Sequence, residues 1–361
     1  MRASNCCFGF CRRISLVELE AVGQGCFFRV EASLVGQRMA TAEAQCPTVL
    51  LRSVPSKQGA VRAVRFNVDG HYCISCGGDK TVKLWNPHSG VALKTYTGHG
   101  YEVLDACGAS DNSQIASGGL DKLVFLWDVE TGKVLRKFRG HAGRVNGVAF
   151  NEESTVVFSA GLDGACRAWD CRAKATSSVQ TMDEATDSVT SLAVSDHELL
   201  TGSADNRLRR YDLRVGKLFV DFVGKSVTSV NFTKDGQCTL VSSLDDAVRL
   251  LDKDSGELLA EFSGHRNKEF KVDSCLLSSD AHVCSGSEDG TVLCWDLVEA
   301  KTLAVLRHPS GRVVHSLSAH PTKQQLLTAS LANFFLWTTP EAQEEPDERV
   351  AKQTGVHLFG M

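Results

Sequence analysis

Histidine, serine and aspartate, the residue types of a hydrolase site, recur together three times along this chain. His99, Ser117 and Asp121 form one set, His141, Ser159 and Asp163 a second, and His265, Ser285 and Asp289 a third. A serine activated by a histidine that an aspartate orients is the arrangement of acyl-transfer catalysis. That chemistry needs one such set beside an oxyanion pocket. Here each set is followed, six residues past the aspartate, by a tryptophan: Trp127, Trp169 and Trp295. Repetition in one register argues for a structural network, so no catalytic residue is assigned and the chain reads as a non-enzyme.

The same register runs through most of the sequence. Trp85, Trp127, Trp169, Tyr211, Leu251, Trp295 and Trp337 are separated by 42, 42, 42, 40, 44 and 42 residues, and Asp79, Asp121, Asp163, Asp205, Asp245 and Asp289 stand six residues before the first six. A period of about 40–45 residues with Trp-Asp pairs and upstream Gly-His pairs, as at Gly98-His99, Gly140-His141 and Gly264-His265, resembles the WD40 repeat. The resemblance implies a hydrogen-bonded network inside each blade, from the Trp indole through the hydroxyl to His and Asp. Such a network satisfies buried polar groups that otherwise cost about 1–3 kcal/mol each. It is incomplete where Lys57, Ala185, Val223 and Arg307 or His308 take the His place and Leu331 the Asp place, and those blades are expected to be softer.

Within a repeat the pattern alternates with period two and breaks at Gly, Asp and Asn, which predicts four short antiparallel strands. In the second repeat these run over 102–107, 114–118, 124–128 and 134–138. The last repeat lacks a fourth strand after Trp337, and residues 48–54 (TVLLRSV) match the missing pattern. The expected fold is all-β, a seven-bladed WD40 propeller over residues 47–338, closed by that N-terminal strand so that no edge is left open. Residues 1–46 read as a disordered or mis-assigned leader, with Met39 the expected start of translation. Three arginines, three cysteines and no acid in residues 1–17 also have features of a mitochondrial presequence or a palmitoylated terminus. Residues 339–361 read as an acidic, flexible tail.

Composition narrows the function classes. A net charge of -4 gives no reason to expect binding to a phosphate backbone. No run of apolar residues is long enough for a transmembrane helix. Fourteen cysteines in 361 residues are too sparse for a disulfide-stapled domain. Most fall inside expected strands, and Cys73 and Cys76 form a lone C-x-x-C without a second pair. No metal, cofactor, membrane or direct nucleic-acid partner is expected, and the compartment is expected to be reducing.

A propeller binds proteins through the turns at its rim. The positions preceding each first strand and each turn aspartate offer Tyr101, Glu102, Leu120, Arg144, Leu162, Leu244, Phe270 and Arg312, apolar and charged residues of the kind found at interaction surfaces. A second surface is suggested by Trp169-Asp170-Cys171-Arg172 and Tyr211-Asp212-Leu213-Arg214, similar to the motif by which propellers dock on the adaptor of cullin-based ubiquitin ligases. The local alternative is that Arg172 and Arg214 pair with the preceding aspartates.

At finer scale, GAVRAVRFNVDG from Gly59, GHGYEVLDA from Gly98, VLRKFRGHAGRVN from Val134, RRYDLR from Arg209 and RLLDKDSGELL from Arg249 resemble a subfamily of WD40 scaffolds, the mitogen-activated protein kinase organizers. That resemblance implies a non-catalytic scaffold for components of the extracellular-signal-regulated kinase cascade, associated also with the spliceosome. It implies a monomeric propeller within larger complexes, in the cytoplasm and nucleus.

Overall fold

The computed structural model describes residues 46–343. The expectations placed on residues 1–45, including the start at Met39, and on the tail beyond 343 lie outside the described residues. Among those described, the only non-strand element is a single turn of 3-10 helix at Glu341–Gln343. Among the described residues no helix is long and apolar enough to cross a membrane.

Seven four-stranded antiparallel sheets form the blades of a propeller. Strand β1 (Val49–Pro55) precedes the first blade in sequence. Blade 1 comprises β2 (Val61–Phe66), β3 (Cys73–Gly77), β4 (Thr81–Asn86) and β5 (Val91–Thr97). Blade 2 is β6 (Val103–Gly108), β7 (Gln114–Gly119), β8 (Leu123–Asp128) and β9 (Val134–Arg139). In blade 3 the strands are β10 (Val145–Phe150), β11 (Val156–Gly161), β12 (Cys166–Asp170) and β13 (Gln180–Met182). Blade 4 follows with β14 (Val189–Ser195), β15 (Glu198–Ser203), β16 (Arg207–Asp212) and β17 (Lys217–Phe222). Blade 5 has β18 (Val227–Phe232), β19 (Cys238–Ser243), β20 (Ala247–Asp252) and β21 (Leu258–Ser263). Blade 6 has β22 (Ser274–Leu276), β23 (His282–Gly286), β24 (Thr291–Asp296) and β25 (Thr302–Arg307). Three strands remain for blade 7: β26 (Val314–Ala319), β27 (Gln325–Ser330) and β28 (Asn333–Thr338).

The missing fourth strand of blade 7 is β1, which pairs antiparallel with β28 from Val49 opposite Thr338 to Pro55 opposite Asn333. First strands neighbour one another in turn from β2 onward, and β26 returns to β2. Val54 of β1 is buried with Trp85, Phe334 and Leu336 at the seam between blades 7 and 1. There Trp85 and Phe334 meet edge-to-face at 5.3 Å.

Burial follows strand position. Second strands such as β3, β15, β19 and β27 are buried along their whole length, whereas outer strands such as β5 are mostly exposed. An aromatic on the outer strand of one blade packs on the tryptophan of the next: Tyr96 on Trp127 at 5.9 Å, Phe138 on Trp169 at 5.3 Å and Phe262 on Trp295 at 5.9 Å. Each such pair adds about 0.5–1.5 kcal/mol beyond its buried area. Blade 5 departs from this pattern on both sides of its seam. Leu251 takes the Trp place, and Asp221 stands opposite Leu208, where Tyr96 and Phe138 stand opposite Val82 and Val124.

The first strand of every blade but the sixth carries a register shift just after its opening valine, between Val61 and Ala63, Val103 and Asp105, Val145 and Gly147, Val189 and Ser191, Val227 and Ser229, and Val314 and Ser316. In blade 6 the pairing begins at Ser274 without it. A bulge re-aims side chains at a rim. Among the bulge residues Arg62, Leu104, Asn146 and His315 turn toward one cavity.

Candidate functional site

Two of the three His-Ser-Asp-Trp sets close into chains of hydrogen bonds. In blade 2 the Trp127 indole donates to Ser117 Oγ at 2.8 Å, Ser117 Oγ lies 2.7 Å from His99 Nε2, and His99 Nδ1 lies 2.7 Å from Asp121 Oδ2. Because Ser117 Oγ accepts from the indole, its own proton points to Nε2, and the imidazole proton on Nδ1 points to the carboxylate. Blade 3 repeats this with Trp169, Ser159, His141 and Asp163 at 2.8, 2.7 and 2.9 Å. Ser117 and Ser159 are wholly buried, so neither meets a substrate. Burial works to raise the Asp163 pKa, but the Ala142 N–H, His141 and Arg167 outweigh it and bring the carboxyl down to about 2. Burial lowers the pKa of His141.

The third set does not connect, which corrects the sequence expectation for His265, Ser285, Asp289 and Trp295. The Trp295 indole donates to the Ser263 carbonyl, Ser285 donates to the Gly286 carbonyl, and Asp289 accepts from Thr291. Neither ring nitrogen of His265 has a hydrogen-bond partner among the described residues. The cause lies in the loop from His265 to Val272, three residues longer than the one from His141 to Val145. Glu288 Oε1 accepts from the backbone N–H groups of Lys268, Glu269 and Phe270. The anchoring carboxylate is therefore one residue earlier than in blades 2 and 3.

Blades expected to lack the network have built others. In blade 1 it is Gln58, not Lys57, that takes the His place: Ser75 donates to Gln58 Oε1 and receives the Trp85 indole at 2.8 Å. Blade 7 uses His308 and a threonine, with the Trp337 indole on Thr328 Oγ1 at 2.9 Å and His308 Nε2 at 3.0 Å from that oxygen. The turn after β27 is short, and Leu331 adopts a φ of 52° in it rather than standing in for an aspartate. In blades 4 and 5 an arginine replaces the histidine. Arg209 bonds Ser203 and Asp205, both at 2.7 Å, and Arg249 bonds Ser243 and Asp245 at 2.8 and 2.7 Å. Tyr211 reaches out of its network to Glu184 at 2.9 Å.

The functional candidates are the exposed surfaces. A cavity of about 490 Å³ opens among the first strands of blades 1, 2, 3, 6 and 7, and its lining includes Glu102, Leu120, Arg144 and Phe270. Tyr101, Leu162, Leu244 and Arg312 lie outside that lining. Tyr101 is exposed beside Lys80, whose Nζ is 5.7 Å from the ring. Leu162 is exposed, while Leu120 and Leu244 are half-buried. The lining also holds Arg62, Arg65, Asp105, Asn146, Lys271, Asp273 and His315, which the sequence reading did not single out. Four lining residues, Arg62, Leu104, Asn146 and His315, are the bulge residues that follow an opening valine, and that shared position was the signal available in the sequence.

Ion pairs occupy most of the acids in this mouth. Arg62 pairs with Glu102 at 3.2 Å, and Arg65 spans Asp105 at 3.3 Å and Asp273 at 3.0 Å. Burial and the Arg62 charge lower the pKa of His315. At the opposite ends of the strands, Arg172 and Arg214 follow β12 and β16 and lie 3.6 and 3.9 Å from Asp170 and Asp212. Among the described residues no group of His, Cys, Asp or Glu is arranged to hold a metal ion.

A model for the WD domain, G-beta repeat, matches residues 48–86 and 256–296, and one described as Nucleolar protein 10-like, N-terminal domain, matches residues 105–272. The chain is 62% identical to WD repeat domain-containing protein 83 of Homo sapiens over 303 residues, 84% of this chain and 96% of that protein. It belongs to the WD40-repeat family. Similarity to proteins of the same description in this WD40 family extends to Danio rerio, 58% identical over 81% of this chain and 93% of that protein. The Dictyostelium discoideum homolog is 34% identical over 75% of this chain and 92% of its own length. The WD40 relationship and the buried serines together account for the closed His-Ser-Asp sets of blades 2 and 3 as structural elements of their blades.

Proposed function

We propose that this chain is a non-catalytic protein-binding scaffold whose partners are components of the extracellular-signal-regulated kinase cascade and of pre-mRNA splicing complexes. The observation that carries the scaffold reading is a closed ring with a polar, partly apolar cavity at one end of its strands and exposed arginines at the other. A rigid body with two faces holds two partners together and raises their effective concentration. The partner classes rest on the individual runs around Gly59, Val134, Arg209 and Arg249 that resemble the kinase-organizer scaffolds. Such partners imply action as a monomeric propeller in the cytoplasm and nucleus. Affinity purification of the tagged full chain is expected to recover kinase-module and splicing proteins, and recovery of neither set overturns the partner assignment.

A second reading, substrate receptor of a cullin-based ubiquitin ligase, is favoured by the exposure of Arg172 and Arg214, whose side chains are 74% and 65% exposed. Contacts so loose leave both guanidinium groups free to bind a partner. Replacing both with alanine abolishes only the ligase adaptor if this reading holds. Loss of every partner in that double variant contradicts the two-face arrangement.

A further inference from the structure

Two cations at the cavity mouth converge on one residue, and among the described residues neither has an ion pair with a carboxylate. Asn146 is buried and pinned by its own amide, which donates to Ser188 Oγ at 2.9 Å and to the Val189 carbonyl at 2.8 Å. Its side-chain oxygen accepts from Arg144 Nε at 3.1 Å, and its backbone oxygen accepts from Lys271 Nζ at 3.3 Å. Lys271 reaches across from blade 6 to blade 3 to make that contact. Like charges gathered on one anchor repel, and two neutral oxygens compensate them only in part. The acids nearby are already engaged: Glu102 by Arg62, and Asp105 and Asp273 by Arg65. Glu269 remains on the rim, exposed and without an ion pair among the described residues.

We propose that this mouth binds an acidic peptide segment of a partner protein, with one Asp or Glu carboxylate between Arg144 and Lys271 and an adjacent apolar side chain against Phe270. The Arg144 fork uses only Nε on Asn146, which leaves its terminal nitrogens for a carboxylate. The lining as a whole is balanced, with Arg62, Arg65, Arg144 and Lys271 against Glu102, Asp105, Glu269 and Asp273. A singly charged carboxylate fits that balance better than a phosphate dianion. Phe270 is 45% exposed, edge-on to His315 at 6.1 Å, and offers an apolar face beside the cations. This inference rests on the scaffold reading and names the chemistry of one partner.

The test uses the full chain and fluorescein-labelled nine-residue peptide pools with a central Glu-Leu, Gln-Leu or phosphoserine-Leu, read by fluorescence anisotropy. The Glu-Leu pool is expected to bind at least tenfold tighter than the Gln-Leu pool. Arg144→Gln and Lys271→Met are each expected to remove most of that difference, and Phe270→Ala to weaken binding several-fold at an unchanged melting temperature. Lys271→Glu is expected to shift preference toward a fourth pool with a central Lys-Leu, which the unaltered chain is expected to bind no better than the Gln-Leu pool. Equal binding of Glu-Leu and Gln-Leu pools, preference for phosphoserine, insensitivity to Arg144→Gln, or no binding by any pool overturns the proposal. If the pools fail while affinity purification still recovers partners, the site is wrong and the scaffold reading stands.

Discussion

Arg65 and Asp273 are 208 residues apart in sequence and 3.0 Å apart in space. The same guanidinium reaches Asp105 and Ser316, so one side chain from blade 1 ties together blades 2, 6 and 7. Burial alone works against its charge, but Asp105 and Asp273 outweigh that and raise its pKa. Removing one partner of a buried pair leaves an uncompensated charge and typically costs about 3–5 kcal/mol. Arg65 retains some solvent contact, so Arg65→Met is expected to lower stability by roughly 2–3 kcal/mol. Urea denaturation measures it, and a loss below about 0.5 kcal/mol would show that the clasp is incidental.

Blades 2 and 6 have the same residues at the four network positions and different bonds, which gives an internal control. Ser117→Ala strips partners from the buried Trp127 indole and His99 Nε2, and is expected to cost about 2–4 kcal/mol. Ser285→Ala removes only a bond to the neighbouring Gly286 carbonyl and is expected to cost less than about 1 kcal/mol. Equal losses for the two variants would show that the sixth blade does close its network in solution.

Acid sensitivity follows from the histidines. Burial brings the pKa of His308 down to about 4, and that of His320, with help from Lys323, also to about 4. From pH 6.5 downward the unfolded chain takes up protons at these positions that the folded chain refuses until about pH 4. Stability is therefore lost as pH falls through that window. The Asp163 contribution is lost in a lower window, from about pH 3.8 to 2. His308→Gln, which copies the Gln58 solution of blade 1, is expected to remove on the order of 2 kcal/mol of the drop between pH 7.5 and 5. An unchanged slope of unfolding free energy against pH would contradict the assignment.

Ring closure is tested by deleting the chain through residue 55. Without β1 the last blade loses its outer strand and the Trp85–Phe334 seam loses Val54. A fall in melting temperature of about 10 °C or more is expected. Differential scanning calorimetry of the truncated chain reads it directly, and an unchanged midpoint would rule out closure by this strand.

The period, the seven blades and the closing strand were legible because each depends on local signals: alternation, turn residues, and one large aromatic per repeat. The networks were legible only where loop lengths repeat. His265 keeps its place in the pattern, yet three extra residues in the following loop and the absent bulge before Ser274 pull Glu288 under the loop instead of Asp289. Gln58 was missed in favour of Lys57 because counting backward by 18 residues ignores a one-residue difference in the chain's path. The clasp of Arg65 on Asp273 and the reach of Lys271 to Asn146 were invisible, since both exist only once the ring brings blade 6 against blades 1 and 3.

Under the proposed scaffold function, one molecule of this chain holds two different partners at once. Tandem purification tests it most directly: a kinase-module protein is captured first, the tagged chain second, and splicing or further kinase-module proteins are quantified in the eluate. The scaffold account predicts that a second partner co-elutes and that its recovery from the first capture disappears when the chain is depleted. Partners that exclude one another on the chain, or that associate equally well without it, would contradict the account.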